Sequence, residues 1–190
     1  SDDVIEWLSV QLTESVATLD LPILHRQCLA LEQQDIPALI QWNDTVLACR
    51  ESYELRLTDT ALADAMIRLL HGLSIETDLL KTLNDQSKKP HNISYVTTFA
   101  IAATHWRISP HYAALGYAWA WLENQVAAAT KLTLFGQLSA QKAIDALMPI
   151  VEQAVNQSLL ISDDAIGTSL PGLAMASSHH ETQYSRLFRS

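Results

Sequence analysis

Glycine and proline are scarce in this chain, at 5 and 6 of 190 residues. That is too little turn-forming material for an all-β protein. Cysteine is scarcer still. Cys28 and Cys49 form no CxxC pair, and two cysteines cannot build a disulfide framework. They are expected to be buried free thiols in a reducing cytoplasm. Positive charge is also in deficit: 12 Lys and Arg against 21 Asp and Glu give a net charge of −9. Phosphate backbones and anionic lipid both require a basic face, so neither nucleic acid nor a membrane surface is the expected partner. The most apolar stretch, Tyr112 to Ala129, is broken by Glu123, Asn124 and Gln125. It falls short of the ~20 apolar residues a membrane span needs. No signal-peptide pattern is present, and the chain runs from Ser1 straight into a helical pattern, as a truncated chain would.

Chemical motifs are missing as well. The sequence contains neither GxxxxGK[ST] nor GxGxxG, and neither GxSxG nor ExxH. A nucleotide-hydrolysing, serine-hydrolase or di-iron reading therefore has no support. His25 and Cys28 are three apart, a ligand-like spacing on a helix, but no second pair accompanies them. His179 and His180 are adjacent and point about 100° apart on a helix, so they do not chelate jointly. His71, His91, His105 and His111 are isolated. No metal site is assigned.

What is present is helical periodicity in a globular composition, 48% hydrophobic and 17% charged. Val4, Trp7, Leu8, Leu12 and Val16 recur at helical spacing. Asp20 with Pro22, and Asp35 with Pro37, read as N-caps followed by a first-turn proline. The second start leads into Leu39, Trp42, Val46 and Cys49. A long helix is predicted over Tyr53 to Leu70, ending near Gly72, with Leu55, Leu62, Met66, Leu69 and Leu70 on its apolar side. Asn84 to Asn92, with Lys88, Lys89 and Pro90, is the most polar stretch and the candidate exposed loop. A helix from about Ser94 to Arg107 follows. Ser109 and Pro110 open another, carrying Tyr112, Leu115, Trp119, Leu122 and Val126. Leu138 to Leu160 is amphipathic through Ile144, Leu147, Val151, Ala154 and Val155, with a kink or break expected at Pro149. A loop from Ser162 to Gly172 precedes a short helix from about Leu173. The expected fold is all-α, a single-domain bundle of roughly seven to ten helices.

The C-terminal stretch is the most informative. It reads His180, Glu181, Thr182, Gln183, Tyr184, Ser185, Arg186, Leu187, Phe188, Arg189, Ser190. Tyr184, Leu187 and Phe188 fall at i, i+3, i+4, with Arg186 and Arg189 beside them. Aromatics next to arginines are the material of binding hot spots. The alternative reading is a last helix tied down on its own bundle.

That eleven-residue string resembles the C-terminal signature of the UreF family of urease accessory proteins. Met175, Ala176, Ser177 and Ser178 resemble the family's lead-in, although family members carry arginine where His179 stands. Trp121 to Gln125 and Lys131 to Gln137 are similar to a second family region, with Leu134 at the usual proline position. Asp20-Leu21-Pro22, Ala48 to Glu51 and Leu55-Arg56 resemble the N-terminal half. A further N-terminal family segment, with Leu-Pro-x-Gly and Ser-x-Gly-Leu-Glu patterns, has no counterpart here, so a partial family member is expected. The resemblance implies an all-α, cytoplasmic, commonly homodimeric protein without enzymatic activity. It implies a complex with UreD (also called UreH), the GTPase UreG and apo-urease. Nickel and GTP would be handled by those partners, so no cofactor is implied for this chain. Residues 173–190 would form the partner-binding segment, with His180 to Ser190 and Lys131 on the docking surface. Arg186 or Arg189 would brace the tail or meet a partner carboxylate. Two other readings stand beside this one: a metal-dependent enzyme on an α-bundle, and a helical adaptor unrelated to urease.

Overall fold

A computed structural model describes residues 2–75, 93–167 and 170–184. Among the described residues every regular element is helical, and there is no strand. The first rod joins α1 (Asp2–Gln11), a π-helical segment (Leu12–Asp20) and α2 (Leu21–Glu32). Its backbone stays in the right-handed helical region at both junctions. Then follow α3 (Ile36–Ala48), α4 (Tyr53–Gly72), α5 (Tyr95–His105), α6 (Pro110–Lys131) and α7 (Gln137–Ser158). A 3-10 turn (Asp163–Ala165) leads to α8 (Pro171–Glu181). These make seven helical rods among the described residues, within the expected range. The candidate loop from Asn84 to Asn92 lies outside the described residues.

The rod containing α2 is the axis of the bundle, packed by α3, α5, α6 and α7. Leu12, Leu21, Ile23 and Leu24 of this rod are wholly buried, together with Val46, Leu122, Ala143 and Val155 from the helices around it. Each large side chain so buried contributes roughly 1.5–3 kcal/mol. A second, smaller cluster joins Ala30, Leu39, Leu70 and Ile101.

Local chemistry explains the helix ends. Asp35 caps α3 by accepting from the Ala38 N–H at 3.0 Å, as the sequence predicts. Ser94 caps α5 by accepting from the Thr97 N–H at 3.1 Å. At the other ends this glycine-poor chain turns on Gln34, Ser74, Arg107 and Thr133, all with φ between 56° and 60°. Each closes a Schellman motif. The next residue's N–H reaches back five positions, as from Asp35 to Ala30 O at 2.8 Å and from Ile108 to Ala103 O at 2.9 Å.

Asp20 does not cap a helix. It is fully helical, makes no cap hydrogen bond, and is buried. The helix passes through because a π turn absorbs Pro22: the Leu21 N–H bonds to Val16 O, five residues back. Pro22 has no N–H to give the Thr18 carbonyl. The Gly167 N–H donates to that carbonyl at 3.1 Å instead, and so pins the segment leading to α8. Gly167 itself has φ +114°, a conformation reserved for glycine.

Three expected apolar faces are turned differently. Trp7 is exposed at the surface of α1, and Leu62 and Leu69 are exposed on α4. On α6, Tyr112 and Trp119 face solvent, while Ala113, Ala114, Tyr117, Ala118, Leu122 and Val126 are buried. Small residues let α2 and α7 approach α6 closely, and a pattern read from large side chains misses that face. Helix α7 runs through Pro149 without a break.

Candidate functional site

Helix α8 has no buried residue, yet it sits in a defined place on α4. The reason is the exposed donor end of α4. A helix leaves its first N–H groups without intrahelical partners and carries partial positive charge there. Ser52 caps α4 by accepting from the Leu55 N–H at 3.1 Å. Its Oγ also lies 2.6 Å from Ser177 Oγ on α8. The Tyr53 N–H donates to Glu181 Oε1 at 2.8 Å. His180 Nδ1 stands 3.8 Å from Glu54 Oε1. The last turn of α8 thus supplies the acceptor and negative charge that the first turn of α4 needs.

This arrangement locates the predicted tail. His180 and Glu181 are half-buried at the end of α8, while Thr182, Gln183 and Tyr184 are exposed beyond it. Ser185, Arg186, Leu187, Phe188, Arg189 and Ser190 lie outside the described residues, and with them the Tyr184-Leu187-Phe188 stripe and both tail arginines. Within the described part, the reading of a last helix tied down on its own bundle holds for α8. The helix is docked on its own bundle, and the residues after it project into solvent.

Beneath α8 lies a buried ionic junction whose pairing no sequence pattern marks. Arg50, in the link between α3 and α4, donates from its Nη2 to Asp20 Oδ1 and from its Nε to Asp59 Oδ2, the latter at 2.7 Å. Asp59 Oδ1 accepts from the Tyr95 N–H at the start of α5, at 2.5 Å. The Tyr117 hydroxyl of α6 donates to Asp20 Oδ1 at 3.1 Å. Burial works against the Arg50 charge, but the two carboxylates outweigh it and push its pKa up. Burial, and then Asp20, push the Tyr117 phenol well above its ordinary value, so it stays a neutral donor. One arginine thus ties the first rod, α4, α5 and α6 together.

Against this junction opens a cavity of about 300 Å3. Gln11, Ser15 and Glu51 give it polar edges, and Trp121, Leu170 and Leu173 give it apolar walls. A groove along α4, lined by Thr58, Leu62, Ser177 and His180, continues from it.

Lys131 is the last residue of α6 and is exposed, beside exposed Leu132, Leu134 and Leu138. Among the described residues, none of the hydrogen bonds described for α8 involves Lys131. Leu134 has a specific role in the turn. Its N–H donates to Ala129 O at 2.9 Å, a bond that a proline at this position could not make.

His25 and Cys28 are packed rather than convergent on a third ligand. Among the described residues no group of three or more His, Cys, Asp and Glu could hold a metal ion. Burial, then Arg26 and His111, lower the pKa of His25. Burial pushes the Cys28 thiol up to about 11. No described helix is long and apolar enough to cross a membrane.

Comparison with known proteins gives a consistent result. The family model described as UreF matches residues 1–148. A urease accessory protein UreF from Marinomonas sp. is 48% identical over 189 residues, covering 99% of this chain and 78% of the relative. One from Chromohalobacter salexigens is 42% identical over 97% of this chain and 77% of its own length. One from Alkalilimnicola ehrlichii is 40% identical over 100% and 81% respectively. The relatives, unlike the family match, extend through α8.

Proposed function

The chain belongs to the UreF family of urease accessory proteins, and on that premise we propose that it is a non-catalytic scaffold. With UreD it recruits the GTPase UreG to apo-urease and regulates GTP-dependent nickel insertion. It works in the cytoplasm, as a homodimer within that complex, and holds neither nickel nor nucleotide itself. The whole chain acts as one domain, with residues 173–190 as its partner-binding segment.

The observation that carries this reading is the mounting of α8. Ser177 and Glu181 fix the helix to the first turn of α4, and Thr182, Gln183 and Tyr184 leave it exposed. A docking element held at one end and presented at the other loses less freedom when a partner binds than a free tail does. A protein that holds two partners at once gains effective concentration, which needs no chemistry of its own. Lys131, on a separate exposed knuckle, offers a second contact.

The test is a pull-down with purified UreD and UreG, comparing the intact chain with one lacking Thr182 to Ser190. Capture by the intact chain and loss on truncation is expected. Equal capture by both forms would remove the tail from the docking surface. Capture by neither, with both folded, would defeat the scaffold reading for this chain.

A further inference from the structure

We propose that the cavity beside Arg50 is a receptor for a basic side chain, lysine or arginine, presented by a protein partner. This rests on the scaffold reading and adds to it the chemistry of one contact. The cavity, at about 300 Å3, has room for a long side chain. Its charged wall consists of Asp20, Asp59 and Glu51 against the single cation Arg50. Arg50 is spent on the two aspartates, which leaves an excess of negative charge facing the space. An anion entering would meet that excess directly, whereas a cation would relieve it.

Gln11 is the second observation. It is only 8% exposed, it lines the cavity, and its side chain makes no hydrogen bond within the described residues. Its amide borders that space and offers an acceptor to an incoming donor. Ser15 stands one turn further along the same rod and adds a hydroxyl. Leu173 and Trp121 give the cavity apolar walls. An amphipathic cation matches all three features: its stem packs on leucine and tryptophan, and its head donates to Gln11, Ser15 and Glu51. A purely apolar group would bring Gln11 no donor. Because Leu173 belongs to α8, the docked C-terminal helix completes the receptor.

The probe is butylguanidinium, titrated into the full isotope-labelled chain. Pentanoate and butanol serve as controls of similar size. The Gln11 side-chain amide and the Trp121 indole should shift saturably with butylguanidinium and stay unmoved with pentanoate or butanol. Leu173→Trp should fill the space and abolish the response. Glu51→Lys, at an exposed position that does not threaten folding, should weaken it and lower partner capture at least about tenfold. Equal response to pentanoate or butanol overturns the proposal. A stronger response after deletion of Thr182 to Ser190 overturns the partner as occupant in favour of this chain's own arginines. Undiminished capture by Glu51→Lys overturns it also. Failure of the unmodified chain to capture UreD or UreG sinks the scaffold reading, in an assay separate from the titration, and takes the partner clause with it.

Discussion

The Glu181 carboxylate accepts a hydrogen bond from the backbone N–H of Tyr53, a residue 128 positions earlier in the chain. It completes from outside the helix the capping that Ser52 begins from within. Removal of the acceptor in Glu181→Ala is expected to weaken the seat of α8 by about 1 kcal/mol, the usual worth of a helix cap. Amide exchange at Tyr53 should accelerate and proteolysis near Thr182 should increase, with exchange in α2 unchanged. Unaltered exchange at Tyr53 would show that the contact does not hold the helix.

Arg50→Ala should be among the most damaging single changes. It leaves Asp20 and Asp59 buried without their cation, and breaking such a pair costs about 3–5 kcal/mol. Urea unfolding should show the midpoint falling accordingly. Arg50→Lys should rescue little, because one ammonium cannot fork between two carboxylates on different helices.

His25 makes stability depend on pH with a definite sign. Its folded pKa lies below the ordinary 6.5, so the unfolded chain takes up the proton first. The stability contributed by the neutral form is complete above about pH 6.5 and is lost as pH falls towards the folded value. His25→Gln should flatten the decline in urea midpoint between neutral and mildly acidic pH. An identical decline in both proteins would mean that other groups govern it.

The two thiols should differ in reactivity. Burial raises both, Cys28 to about 11, but Cys28 is fully packed whereas Cys49 is only half-buried. Iodoacetamide at neutral pH should alkylate Cys49 first, with Cys28 protected until the chain unfolds. Peptide mass spectrometry distinguishes the order.

Thr133 is a β-branched residue at φ 60°, where such side chains are strained. Thr133→Gly should relieve about 1 kcal/mol of that strain and raise the melting temperature. Loss of stability instead would show that the threonine side chain contributes a contact worth more than the strain.

Much of the fold was legible because helix signals are local. The Asp35 cap, the Ser94 start, the Ser109-Pro110 start and the α7 face of Leu147, Val151 and Val155 all depend on neighbours within a turn or two. What was misread needed distant information. Asp20 carries every mark of a cap in its own sequence, and only Arg50 and Tyr117, from other helices, make it a buried anion. The α6 face was misjudged because alanine carries little hydrophobic weight, while its value lies in close approach. The candidate site divides in the same way. The tail announced itself by residue type, but the seat of α8 uses a backbone N–H, which no sequence pattern marks.

The Thr18 carbonyl shows how a deficiency can act as an address. Pro22 cannot donate to that oxygen from the next turn, and Gly167 does so from a distant part of the chain. The path of the chain towards α8 is therefore written in part at position 22, in a residue of α2 rather than of the C-terminal helix. Any change that put a donor back at that position would set up a rival for the same oxygen and loosen the approach to the docking segment, with no residue of that segment altered.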